Sequence, residues 1–143
     1  MMSVHDVARV LDAHDTLLPE ALRFDGVSTD SRVLAPGQLF VALRGERFDG
    51  HDFVAAAARA GAAAALVDAR WHADNPTPPL PVVVVDDSRL ALGTLAGAWR
   101  ARFALPLIGV TGSNGKTTMK EMCAAILRTQ ARHEGFGDES VLA

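Results

Sequence analysis

Only one cysteine, Cys123, occurs in the 143 residues. This excludes an intrachain disulfide framework and a zinc site built from several thiols, and a lone thiol suits a reducing compartment. Excess positive charge is missing too. Fourteen basic against seventeen acidic side chains leave a net charge of -3, without the field that a nucleic-acid or polyanion binder needs. The opening MMSVHDVARV lacks a basic stretch and soon reaches Asp6 and Arg9, which fits neither a secretory signal nor a membrane anchor. The expectations are a cytoplasmic location, no nucleic-acid partner and no membrane span. The five histidines, His5, His14, His51, His72 and His133, are scattered without ligand spacing. His51, inside FDGHDF, admits a turn or helix-capping role as well as a catalytic one. No internal repeat is present. What remains is 49% hydrophobic and 22% charged, ordinary for a soluble globular domain with a core.

Periodicity supplies the elements. Ser3 precedes Val4, Val7 and Leu11, spaced by three and four, which predicts a short capped amphipathic helix. Gly26–Thr29 and Leu39–Leu43 are short β-prone runs separated by DSRVLAPG, with its Pro36-Gly37 turn signal. FVAAAARA predicts a helix that stops at Gly61, and AAAALV leads into a strand. NPTPPLP holds four of the seven prolines and must be a surface loop. Val82–Val85 is continuously apolar, as expected of a parallel strand covered on both faces. Asp87 or Ser88 can cap the next helix, where Leu92, Leu95, Ala96, Trp99 and Phe103 form one apolar stripe with Arg100 and Arg102 turned away. Beyond Pro106, LIGV reads as a short buried strand. The run TTMKEMCAAILRTQ reads as a helix burying Met119, Met122, Cys123, Ile126 and Leu127. Neighbouring strands must cover such a unit, and none follows in ARHEGFGDESVLA. The chain is therefore expected to stop inside its second domain, with residues from about Gly109 onward poorly protected.

Between that strand and helix lies Gly109-Val110-Thr111-Gly112-Ser113-Asn114-Gly115-Lys116-Thr117-Thr118, a setting that phosphate loops share. Gly112 and Gly115 let backbone N–H groups turn toward an anion, and the helix start adds its positive dipole end. Lys116 would reach the β and γ phosphates and the Thr117 hydroxyl would ligate Mg²⁺, with Thr118 a further phosphate contact. The loop departs from the general pattern at Val110, where a glycine is usual. A glycine-rich turn that merely begins a helix, with Lys116 solvated, is the alternative reading.

The variant TGSNGKTT resembles the ATP loop of the Mur ligases, which build the peptide of the bacterial cell-wall precursor, and of folylpolyglutamate synthases. The upstream GVSTDSRVLAPGQLFVALRGERFDGHDFVAAAARAGAAAALV decides between them. It is similar to the N-terminal UDP-sugar-binding domain of the Mur ligases that add the third residue or the terminal dipeptide, which the synthases lack. Lys120-Glu121-Met122 after the threonines, and GERFDGHDF, resemble the dipeptide-adding branch. The resemblance implies an α/β fold: a small substrate-binding domain over residues 1–104, then the first strand, phosphate loop and helix of an incomplete ATPase domain over 105–143.

The activity so implied is ATP-driven amide formation, joining D-alanyl-D-alanine to UDP-N-acetylmuramoyl-tripeptide through an acyl phosphate, with ATP and Mg²⁺ as cofactors and a monomeric protein. Thr111 to Thr118 take the ATP role, Lys116 on the phosphates as the catalytic group and Thr117 on Mg²⁺. Thr29 and Ser31 fall to the uridine or its phosphates, with Arg47 and Phe48 beside them. For Asp30 and Arg32 an internal ion pair that fixes the turn stands beside ligand contact. The family's asparagine-rich segment, its carbamylated lysine and its closing domain are not in these residues, so the chain alone is expected to be inactive. Three other readings are the ligase adding meso-diaminopimelate or lysine as third residue, a non-catalytic UDP-sugar module, and a small nucleotide hydrolase working alone.

Overall fold

The computed structural model describes residues 2–13 and 22–142; His14 lies outside them. The chain divides into two compact units, Met1–Phe103 and Ala104–Ala143.

The first unit is built on strands whose residues alternate between two apolar layers. β3 (Val27–Ser28), β4 (Leu39–Val41), β5 (Ala64–Asp68) and β6 (Val82–Val85) form one sheet in that order, every pairing parallel. Successive side chains of a strand point to opposite faces, and the core divides accordingly. Leu39, Val41, Ala64, Leu66, Val83 and Val85 face one cluster, shared with Val4 and Val7 of α1 (Val4–Val10) and with Ala91 and Leu95 of α4 (Ser88–Arg100). Phe40, Ala42, Ala65, Val67, Val82 and Val84 face the other, shared with Val54 and Ala57 of α2 (Val54–Arg59). The sheet is thus covered on both faces, as the run of four valines predicts.

Caps fix the helix starts. In α1 the Asp6 N–H donates to the Ser3 hydroxyl at 3.0 Å while the Ser3 N–H donates to the Asp6 carboxylate at 3.2 Å, a reciprocal capping box. The Ser3 hydroxyl also donates to that carboxylate at 2.8 Å, and this bond, then the backbone one, holds the Asp6 carboxyl below its ordinary range. Asp87 caps α4, accepting from the N–H groups of Arg89 and Leu90 at 2.8 and 2.9 Å.

Among the strands and α-helices of this unit, three small ones escape the sequence reading: the two-residue antiparallel pair β1 (Met2–Ser3) with β2 (Arg23–Phe24), and α3 (Ala69–Asp74). The α4 stripe also differs. Leu95 is buried with Ala91, but Trp99 and Phe103 stay 40% and 44% exposed and pack edge to face on each other at 5.6 Å. Arg102, expected to turn away, lies 4.8 Å over the Trp99 ring, where the π face attracts its charge.

The second unit carries α5 (Lys116–His133). The expected buried strand at residues 107–110 is not formed: this stretch is irregular, with Leu107 74% and Ile108 62% exposed. A strand exists only by pairing, and no other strand occurs among the described residues of this unit. For the same reason Met119, Met122, Ile126 and Leu127 are exposed rather than buried, and Cys123 is half-buried. The buried positions of α5 are Ala124 and Ala131. There the chain turns back, Phe136 N–H donating to the Ala131 carbonyl at 2.8 Å and Arg128 to that of Val141 at 3.4 Å. No helix among the described residues is long and apolar enough to cross a membrane.

Candidate functional site

In an open parallel sheet the carboxyl ends of the strands gather the loops that meet ligands. Thr29–Arg32 follow β3 and the segment 42–50 follows β4, its neighbour in the sheet. Thr29, Ser31, Arg47 and Phe48 therefore share one sheet edge, although 16 to 19 positions separate the two pairs in sequence.

Local hydrogen bonds set the first of these loops. The Ser28 hydroxyl and the backbone of Asp30 exchange bonds at 3.0 and 3.2 Å. Arg32 donates to the Asp30 carboxylate from its backbone at 2.9 Å and from its guanidinium at 2.6 to 3.2 Å. The guanidinium bonds, then the backbone bond, hold the Asp30 carboxyl at about 2. Asp30 and Arg32 thus form the internal ion pair. The Thr29 and Ser31 hydroxyls, in contrast, have no partner among the described residues. Polar groups spent on the fold and polar groups left for something else alternate along four positions.

The second loop is a hairpin. Leu43 and Gly50 close its base, Gly50 N–H donating to the Leu43 carbonyl at 2.8 Å; Arg44 and Asp49 pair across it; Gly45 N–H donates to the Phe48 carbonyl at 2.9 Å. A side chain at Gly50 would sit 2.6 and 2.7 Å from the Leu43 N and O atoms, so only glycine allows this approach. At the tip, Glu46, Arg47 and Phe48 are exposed, Phe48 to 74%.

Beneath the hairpin lies a polar network. His51 is 2% exposed; its Nδ1 stands 2.5 Å from an Asp49 carboxylate oxygen and its Nε2 accepts from the Asp68 N–H at 3.0 Å. Arg44 donates to the other Asp49 oxygen at 2.9 Å. Asp68 in turn accepts from the N–H and hydroxyl of buried Ser88 at 2.9 and 2.5 Å. Burial pushes the Asp49 carboxyl up, but hydrogen bonds from the His51 backbone, the His51 ring and Arg44 outweigh it and hold it at about 2. The sequence marks His51 alone. Asp49 goes unmarked although it lies two positions away, and the ties of Asp68 have no local signal, since they span 17 and 20 positions.

An apolar cavity of about 670 Å³, lined by Phe24, Val27, Leu92, Leu95 and Trp99 among others, opens at the start of β3. It carries one charged side chain, Asp25.

In the second unit Gly115 occupies the cap position of α5 at φ +76°, and no side chain caps the helix. The first-turn N–H groups are left for an outside acceptor. Nothing lies within 4 Å of a Cβ placed at Gly115; its need is conformational. Lys116 Nζ donates to the Gly112 carbonyl at 2.5 Å and to that of Ser113 at 3.4 Å. The cation is thus folded over the loop. Thr111, Ser113, Thr117 and Thr118 are exposed, and their hydroxyls have no partner among the described residues. No group of three acidic, histidine or cysteine side chains that could hold a metal occurs among them.

A parallel sheet with helices on both faces defines a three-layer α/β protein. The model of the "Mur ligase family, catalytic domain" matches residues 23–100, more than half of the chain, and the chain belongs to that family. The match ends before the glycine-rich loop. UDP-N-acetylmuramoyl-tripeptide–D-alanyl-D-alanine ligases are among its relatives: that of Synechocystis sp. is 43% identical over 129 residues, 88% of this chain and 28% of the relative. That of Bacillus subtilis is 51% identical over 109 residues, 75% of this chain and 23% of the relative. In structure it is similar to MurF from Acinetobacter baumannii, with a TM-score of 0.71 and 36% identity over 87% of this chain and 27% of that one. MurF ligase from Thermotoga maritima, solved in complex with ADP, gives a TM-score of 0.60 at 35% identity over 76% and 24%. The chain thus spans 28% and 23% of the length of these two curated relatives.

Proposed function

We propose that this chain supplies UDP-sugar recognition and a phosphate loop to an ATP-dependent ligase that adds D-alanyl-D-alanine to UDP-N-acetylmuramoyl-tripeptide. Residues 1–104 form the sugar-nucleotide domain and residues 105–143 open the ATP-binding domain. The protein works in the cytoplasm as a monomer. The reading is carried chiefly by one observation: two neighbouring loops at the carboxyl edge of the sheet present exposed Phe48 together with Thr29, Ser31 and Arg47, whose side chains have no hydrogen-bond partner among the described residues. Hydroxyls suit uridine and phosphate oxygens, a guanidinium suits a diphosphate, and an exposed phenyl ring suits a base or sugar face.

In the second unit the uncapped start of α5 would receive ATP phosphates on its N–H groups, with Thr111, Gly112, Ser113, Asn114, Gly115 and Thr118 shaping the loop. Lys116 would leave its carbonyl partners for the phosphate oxygens, neutralising charge that grows in phosphoryl transfer. Thr117 offers one hydroxyl to Mg²⁺, which commonly takes few protein ligands and completes its shell with phosphate and water. Bound Mg²⁺ would supply electrophilic stabilisation of the phosphates. Alone, the chain is expected to bind without turnover. Calorimetric titration with UDP-N-acetylmuramoyl-tripeptide tests the reading: one saturable site, weakened in Ser31→Ala, is expected, and an absence of binding overturns it.

A further inference from the structure

We propose that His51 is a positioning residue for UDP-sugar binding: from the interior it pins the hairpin that carries Arg47 and Phe48, and it touches no ligand itself. The inference rests on the reading above, in which those two side chains meet the ligand. The tip of the hairpin has little to hold it. Glu46, Arg47 and Phe48 are exposed, and the Gly45–Phe48 bond closes the turn. Orientation must come from the legs.

One leg is tied through His51. A backbone N–H donates to Nε2, so the ring proton sits on Nδ1 and goes to Asp49. A single buried ring thereby joins the hairpin to the end of β5. Asp68 extends the tie to Ser88 at the start of α4, and Arg89 returns it by donating to the Arg44 carbonyl at 3.2 Å. Three chain segments, the hairpin after β4, the end of β5 and the start of α4, close into one circuit. His51 belongs to neither apolar cluster of the sheet. Its ring lies 5.9 Å from that of Trp71, tilted by 32°, which limits its rotation. The close approach of Gly50 to Leu43 holds the same leg against the opposite one at the base of the hairpin, so a displacement at His51 must be felt at the tip.

The test uses the full 143-residue chain with UDP-N-acetylmuramoyl-tripeptide, read by calorimetry and by amide hydrogen exchange. His51→Leu fills the volume and removes both ring bonds; His51→Gln can still donate and accept. His51→Leu is expected to weaken binding about tenfold or more and to speed exchange at the Gly45 and Gly50 amides, while the β5 amides stay protected. His51→Gln should restore most of the affinity. Unchanged affinity in a folded His51→Leu, with Arg47→Ala and Phe48→Ala both weakening binding, overturns the clamp and leaves the functional reading standing. Loss of protection spread through β5 also overturns it, since His51 would then serve the whole fold. If the parent chain does not bind, or Arg47→Ala and Phe48→Ala bind as the parent does, the functional reading fails and takes this inference with it. Should His51→Leu not fold, Gly50→Ala, which pushes the same leg off Leu43, carries the same expectations.

Discussion

The two units handle apolar side chains in opposite ways. In the first, Leu39, Phe40, Val41, Leu66 and Val67 are buried because each strand residue finds a helix or loop over its face. In the second, Met119, Met122, Ile126 and Leu127 repeat at helical spacing and stay exposed. Both segments have the pattern of a core. A pattern states which face should be covered; only a neighbouring element covers it.

Polar groups show a parallel contrast. Asp30, Asp49, Asp68 and Asp87 are all engaged in the first unit, capping helices or pairing with arginine, histidine and serine. Along 111–118 the side-chain hydroxyls have no partner among the described residues, and the cation rests on loop carbonyls. A loop whose donors are unspent in this way has groups available for an anion.

The largest expected effect separates the cores. Phe40→Ala, at a fully enclosed position, should cost about 3–5 kcal/mol, read as a fall in the denaturant midpoint of the first unit. Next comes the loop: Lys116→Ala should weaken ATP binding about tenfold or more, as removal of a charge-assisted contact does, while UDP-sugar affinity stays unchanged. A loss of both affinities would break the division of labour.

A pH series sharpens the polar contrast. The Asp49 carboxyl is held at about 2 in the folded chain, below its unfolded value of about 4. Its contribution to stability is therefore complete above about pH 4 and drains away as pH falls toward about 2. Asp49→Asn should lack that part of the acid slope, measured by denaturant titration across the window. The smallest effect is expected at Ile126→Ala, 67% exposed, within about 0.5 kcal/mol of the parent. A cost comparable to that of Phe40→Ala would show that the α5 face is covered in solution.

The elements of the first unit that position the site are legible in the sequence. The run of four valines, the alanine-rich helix and Asp87 before a periodic stretch each state a local rule that packing then obeys. The pairing of β1 with β2 is not legible, since two residues carry no period, and α3 lacks an apolar stripe because none of its residues is buried. LIGV and the α5 face misled for the reason given above: they name a partner that the described residues do not contain. Of the candidate site, motif residues at 29–32 and 111–118 are visible. The ties of Asp68 to His51 and to Ser88 are not, because strand order alone brings those residues together.

One measurement bears most directly on the division between the two units: amide chemical shifts of the labelled chain during titration with UDP-N-acetylmuramoyl-tripeptide. Recognition at the sheet edge predicts saturable shifts at Thr29, Ser31, Arg47 and Phe48, with residues 111–118 unmoved. Shifts confined to 111–118, with those four residues silent, would contradict it.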